Sequence, residues 1–448
     1  MPRSCQPHAI PKARFTDRAS RGIAVALMLQ SLCGLLILPI IAWALSADRK
    51  ATSLPAAVRI ALAGIAIQFV IAGLFTLLPQ LSIVFTWAAA AVSALQTATG
   101  EGMKFLFGYL AGGPAPFTVT DPSKGFVLAL QALPLVIIMS VLAKLLYHWG
   151  VLQRIVALLA AGLQRTMGVS GPVGTASAAN IFIGMVEAPI FIRPWLARLD
   201  KGGLFAVMTT GMATVAGTVM ALYASFLEPV LPGAAGHILL ASIMSAPAAL
   251  VISRLMVPWQ DAPSEDTSPA MPPPRETGSV MDAIVSGTTD GLRLVVSIAA
   301  MLLVMLALVA LVNMILGALT EPMGYRLSVE AILGWLMTPL ALLMGIPWGE
   351  AAQAGQLIGI KTVLNELLAY VQLAGLSDTV ISQRSRLILT YALCGFANFG
   401  SLGIMTGGLV ALCPDRRDDI LKLAPRSIIS GTLATMMTGA VIGAITPG

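Results

Sequence analysis

The chain has 448 residues, 57% hydrophobic and only 11% charged, where a soluble domain carries about 25% charged residues. That balance excludes a soluble globular protein and predicts an all-α polytopic membrane protein. The formal net charge of +6 is no nucleic-acid footprint, because the basic residues sit in short loops between apolar runs.

In chain order, residues 1–22, "MPRSCQPHAIPKARFTDRASRG", are basic and broken by proline, and read as a disordered tail. The apolar run near 23–45 is too long for the h-region of a secretory signal and reads as a first span. Further runs of about twenty apolar residues place spans near 57–79, 125–147, 203–227, 235–257, 293–318, 387–412 and 427–446. Eight spans are thus expected. The mixed stretch from Gln80 to Gly108 is amphipathic and is expected on the membrane surface. Residues 258–282, "PWQDAPSEDTSPAMPPPRETGSVMD", have the Pro, Ser and acidic content of a solvated linker. Basic residues such as Arg49, Lys50, Arg154, Arg165, Arg416 and Arg417 favour an N-terminus outside, by the positive-inside rule, while the five basic residues of the N-terminal tail argue the other way.

Two regions interrupt this pattern. Residues 150–194 and 330–372 are apolar but punctuated by Gly, Pro and polar side chains, and they resemble each other. Each opens with an amphipathic segment ending in Met-Gly-aliphatic (Met167-Gly168-Val169 and Met344-Gly345-Ile346). Each then places a glutamate about twenty residues on, at Glu187 and Glu366. The spans behind them also match, "GMATVAGT" from Gly211 against "GFANFGSL" from Gly395. Three expected spans lie between the glutamates, and an odd number inverts the second copy. Inverted repeats with broken hydrophobic segments at matching positions are the mark of secondary transporters, which bind substrate and ion where the broken helices meet.

Several polar residues in these segments have two readings each. Glu187 and Glu366 either pair with a nearby arginine such as Arg193 or face a shared polar cavity. Asn180 can cap the second half of a hairpin, and it can also offer its amide oxygen to a cation. Thr214 either back-bonds to its own helix or joins that cation site. Asn398 and Ser401 are three residues apart, hence on one helical face, where together they can grip a polyhydroxylated ligand. Phe396 is a packing residue or a stacking surface beside the cavity.

Energy coupling by ATP is disfavoured, since no GxxxxGK[ST] occurs. No HExxH or readable Ser–His pairing motivates an enzyme. The four cysteines form no CxxC, and the three histidines lack metal-ligand spacing.

The segments "AANIFIGMVEAPIFIRP", "GIKTVLNELLAY", "YALCGFANFGSLGIM" and "GTLATMMTGA" resemble, in order, the signature segments of the concentrative nucleoside transporters. The resemblance implies a homotrimer in the inner membrane, with a scaffold around transport domains that move like elevators. It implies a tail at 1–22, scaffold at 23–168 and 293–346, transport repeats at 169–257 and 347–448, and a linker at 258–292. Each repeat would hold a re-entrant hairpin, here about 170–198 and 350–375. Glu366, Asn398 and Ser401 would bind the ribose, Phe396 and Val219 would line the pocket, and Glu187 would face the base. The implied sodium site comprises the Asn180 side chain, the Ile183 carbonyl, Thr214 and the Val215 carbonyl. No other cofactor is implied.

One departure concerns the base. Many members read "GQTE" where this chain reads "GMVE", so Met185 and Val186 replace the Gln and Thr that hydrogen-bond the nucleobase there. Apolar walls of this kind predict loose base selectivity. The expected function is sodium-coupled nucleoside uptake across the bilayer. Proton coupling through the two glutamates, transport of another polar solute, and a non-transporting sensor are the rivals.

Overall fold

In lipid a backbone must satisfy its own amides, and helices are one of two ways to do so. The protein's computed structural model describes residues 12–77, 79–118, 125–259 and 278–447, and its regular elements are all helical. In chain order these are α1 (Lys12–Ala44), α2 (Leu54–Leu77), α3 (Pro79–Phe107), α4 (Leu128–Gln131), α5 (Leu135–His148) and α6 (Val151–Met167). Then come α7 (Gly171–Asn180), α8 (Arg193–Leu196), α9 (Lys201–Ala213), α10 (Gly217–Leu227), α11 (Ala234–Met256) and α12 (Val280–Thr320). The last third holds α13 (Val329–Leu343), α14 (Trp348–Val363), α15 (Glu366–Gly375), α16 (Gln383–Leu393), α17 (Phe399–Leu412) and α18 (Arg417–Ile445).

Among the described residues, seven helical stretches are long and apolar enough to cross a membrane. They fall into two kinds. The most apolar window of α9–α10 is 94% buried, that of α11 83% and that of the stretch ending in α18 89%. The corresponding windows of α1 and α2 are 28% buried, and that of α12 only 11%. The first group is therefore the protein core, and the second turns most of its side chains outward.

Several expectations are corrected. The span expected at 387–412 is two helices, because α16 stops at Leu393 and Asn398 starts α17 by accepting a bond from Ser401 N at 2.7 Å. The span at 203–227 is likewise interrupted at residues 214–216. Residues 12–22, expected in the tail, already belong to α1, while residues 1–11 lie outside the described residues. Residues 280–292, expected in the linker, are helical, since Ser279 caps α12 by accepting from Asp282 N at 3.1 Å. Residues 260–277 of that linker lie outside the described residues. The stretch expected on the membrane surface is the 29-residue helix α3, packed against α2, α10 and α11. It is not among the seven stretches long and apolar enough to cross a membrane.

The internal repeat has a structural counterpart. The succession α6, α7, α9, α10, α11 is matched by α13, α14, α16, α17, α18. Gly168 and Gly345, the paired glycines after the amphipathic segments, both take the left-handed conformation (φ 63° and 82°) that ends such a helix.

Candidate functional site

The second repeat supplies an anchored carboxylate. Its first broken helix stops at Val363, and Asn365 restarts the chain by accepting from Leu368 N at 3.0 Å. Glu366 is thereby the first residue of α15, where the helix dipole favours a negative charge. Its side chain is buried, yet both oxygens are bonded: Oε1 accepts from the Tyr223 hydroxyl at 2.6 Å and Oε2 from Asn398 Nδ2 at 2.9 Å. Asn398 serves twice, since its Oδ1 also takes the Ser401 amide at the start of α17. Beneath lies Lys361, fully buried, donating to Ala392 O at 3.0 Å and Thr435 Oγ1 at 3.1 Å.

The first repeat supplies a turn. After α7 the chain reverses through residues 181–187, with Gly184 at φ +116°. A Cβ there would stand 3.0 Å from Glu187 Oε2 and 3.1 Å from Ala216, so glycine alone allows the turn to press against the α9–α10 break. That close approach sets Met185, Val186 and Glu187 opposite Glu366.

Between the two halves lies a cavity of about 140 Å³. Met185, Val186, Glu187, Val219, Glu366, Phe396, Asn398 and Ser401, the eight candidate ligand residues, all line it. Around Glu366 the wall is polar, since Tyr223 and Asn398 bond that carboxylate and Asn398 also takes the Ser401 amide. Apolar lining comes from Met185, Val186 and Val219 with Leu294, Ile298, Met301 and Met305 of α12, and Thr218 and Ser297 also line the cavity. Glu187 opens into the cavity, and among the described residues no ion pair joins it to Arg193. A second cavity, between α2, α6 and α11, is lined by apolar side chains and Thr166.

Of the four candidate cation residues, Asn180 and Ile183 flank the start of the 181–187 turn, and Thr214 and Val215 lie at the α9–α10 break, whose Gly217 N donates to Phe182 O at 2.8 Å. Asn180 is 1% exposed, and neither its Oδ1 nor its Nδ2 has a hydrogen-bond partner. A buried amide left so costs about 1–3 kcal/mol. Thr214, at the α9–α10 break, donates to Thr210 O at 2.8 Å and to Asn180 O at 3.3 Å, so its back-bonding is real and also ties the break to α7. Val215 O accepts from Ser242 Oγ at 3.4 Å, and Ile183 lies in the turn itself. Neutral oxygens around an orphaned buried amide fit a hard monovalent cation, and not a transition metal, which prefers imidazole or thiolate.

Sequence reasoning missed three contributors. Tyr223 reads as an ordinary aromatic within an apolar span, and Lys361 as one more basic residue. The α12 wall carried no signal, because Leu294, Ile298 and Met301 look lipid-facing until the fold turns them inward.

Three family models match in order. "Na+ dependent nucleoside transporter N-terminus" covers residues 33–110, "Nucleoside recognition" 129–230, and "Na+ dependent nucleoside transporter C-terminus" 237–443. The chain is similar to an uncharacterized transporter of Haemophilus influenzae, 36% identical over 93% of this chain and 97% of that one. It is also similar to the nucleoside permease NupC of Helicobacter pylori, 35% identical over 92% and 96%. Among solved structures it resembles CNTnw in an inward-facing substrate-bound state, with TM-score 0.83 and 34% identity over 93% of this chain and 97% of that one.

Proposed function

The chain belongs to the concentrative nucleoside transporter family, and from that premise we propose that it carries nucleosides into the cell by sodium symport. The observation that carries the reading is the cavity between the repeats, polar around Glu366 and apolar around Met185 and Val186. A nucleoside has the same polarity, with a ribose rich in hydroxyls at one end and a flat base at the other. Glu366, Asn398 and Ser401 take the ribose. Carboxylate bonds to sugar hydroxyls are charge-assisted, about twice as strong as neutral ones. Phe396 and Val219 pack against the ligand, and Glu187 stands on the base side.

Sodium is the co-transported substrate, held by the Asn180 side chain, Thr214 and the carbonyls of Ile183 and Val215. The orphaned Asn180 amide supports this assignment, since a cation supplies the partner its oxygen lacks. Because Asn180 begins the turn that carries Met185 to Glu187, an occupied cation site steadies the ligand wall. A unit charge falling through 100 mV provides about 2.3 kcal/mol of driving force before any concentration gradient is added. The working assembly is a homotrimer in the inner membrane. In it, residues 169–257 and 347–448 move as transport repeats against a scaffold of residues 23–168 and 293–346, whose α12 closes one wall of the cavity.

The test is uptake of radiolabelled uridine into proteoliposomes. Accumulation should follow an inward sodium gradient and vanish when choline replaces sodium at fixed pH. Undiminished uptake in choline transfers the coupling to protons, and binding without any uptake makes the protein a sensor.

A further inference from the structure

The ribose reading uses Glu366 but leaves open what aims it. A glutamate has three side-chain torsions, and a buried one with free rotamers reads no particular hydroxyl. Tyr223 stands on α10 in the first repeat, whereas Glu366 and Asn398 stand in the second. Its hydroxyl donates to Glu366 Oε1 at 2.6 Å. Its ring is 3% exposed and lies 5.3 Å from the Tyr370 ring at 34°. Tyr370 is itself fixed, donating to Thr390 O at 2.8 Å. A tyrosine ring packed against an anchored neighbour has little rotamer freedom, so its hydroxyl sits at one place. With Tyr223 on Oε1 and Asn398 on Oε2, the carboxylate plane is held from both repeats. Of its roughly four acceptor sites, two stay available.

We infer that Tyr223 is the positioning residue for sugar recognition: it fixes the Glu366 carboxylate so that it reads ribose hydroxyls, and it thereby sets discrimination between ribosides and deoxy analogues. The inference rests on the nucleoside reading above. Tyr370 lines no part of the cavity and supports the ring alone.

The experiment measures binding of uridine and 3′-deoxyuridine to the purified full chain by calorimetry. In Tyr223→Phe, uridine affinity should fall about tenfold to a hundredfold, the range for a bond to a charged group. Affinity for the 3′-deoxy analogue should hold, so the ratio between the ligands narrows by that same factor. Equal weakening of both ligands, or of neither, overturns the role. Tyr370→Phe removes the same atom from the same ring pair and should leave the ratio intact; a collapse there assigns discrimination to ring packing and overturns the proposal. In a Glu366→Gln background, adding Tyr223→Phe should cost uridine nothing further, and a further loss is likewise fatal. Should the phenylalanine variant not survive purification, fluorotyrosine at 223 keeps the shape and alters donor strength. It must shift the same ratio, and an unchanged ratio overturns the role. A wild-type protein that binds neither ligand removes the nucleoside reading itself, and this role with it.

Discussion

The two repeats share an order of elements but treat the asparagines near their breaks in opposite ways. In the second, each break carries an asparagine whose side chain is used: Asn365 caps α15, and Asn398 caps α17 while holding Glu366. In the first, the helix restarting after the break is preceded by Ala216, which offers no side-chain cap, and the buried amide of Asn180 bonds to nothing. A satisfied network is rigid and specifies one geometry, whereas an orphaned polar group has an unmet demand. One architecture thus yields a carboxylate bonded at both oxygens in the second repeat and an unpartnered buried side-chain amide in the first.

The largest effect should come from the satisfied half. Glu366→Gln keeps size and shape but removes the charge that makes its bonds to sugar hydroxyls strong. A bond to a charged group contributes about 1.5–3 kcal/mol against about 0.5–1.5 for a neutral one, so neutralising two should weaken uridine binding roughly 30–150-fold. Gel filtration should show an intact protein, and calorimetry on it gives the affinity. Normal binding breaks the assignment of the polar end.

The orphaned half should respond to ion rather than to sugar. Asn180→Ala should abolish the sodium stimulation of uridine binding, leaving at all sodium concentrations the affinity that the wild type shows in choline. Couplings between sites span about 5–150-fold, so the change at saturating sodium falls in that range. A sodium titration of uridine binding reads it directly. An unchanged sodium midpoint in the variant removes Asn180 from the cation site.

This asymmetry is partly legible in the sequence. Glu366, Asn398 and Asn180 stand out because each is polar inside an apolar run, and lipid tolerates that only for a reason. The breaks inside the expected spans at 203–227 and 387–412 are not. Val215, Ala216 and Gly217 continue an apolar run without a charge or proline, so a 3.6-residue pattern reads straight through the interruption, where Gly217 N donates to Phe182 O of the 181–187 turn and Val215 bonds to Ser242. Tyr223 was invisible for a related reason: what makes it polar is a partner 143 residues away. The inward side of α12 was hidden too, since apolar residues facing a cavity and facing lipid are the same letters.

A third prediction compares the two ends of the cavity. Apolar walls discriminate by about 10–200-fold, while a site that hydrogen-bonds a group rejects analogues lacking it by 10⁴ or more. Uridine, cytidine and adenosine should therefore compete within roughly the narrower range, and 3′-deoxy analogues should fall away more steeply. Met185→Gln with Val186→Thr should widen preference among bases about tenfold without altering the sugar requirement. Competition against labelled uridine measures both. A wild type that already prefers one base by several thousand-fold shows that another polar residue reads it.

The smallest effect isolates the comparison most cleanly, because it asks what each asparagine does for the unliganded fold. Asn365 accepts the Leu368 amide at 3.0 Å, so Asn365→Ala exposes a donor at the start of α15 and should cost about 1 kcal/mol. Asn180 has no partner to lose, and in sodium-free buffer Asn180→Ala should leave stability unchanged or raise it slightly, since an unpaired buried amide is exchanged for a methyl group. Sodium should reverse the order. A ligand that binds only the folded state stabilises it in proportion to the logarithm of its concentration over Kd, so added sodium should raise the melting temperature of wild type and Asn365→Ala alike and leave Asn180→Ala where it was. Thermal unfolding of the three proteins in choline and then in sodium separates these outcomes. If Asn180→Ala melts lower than wild type in choline, its side chain already has a structural partner, and the contrast between the repeats is wrong at its root.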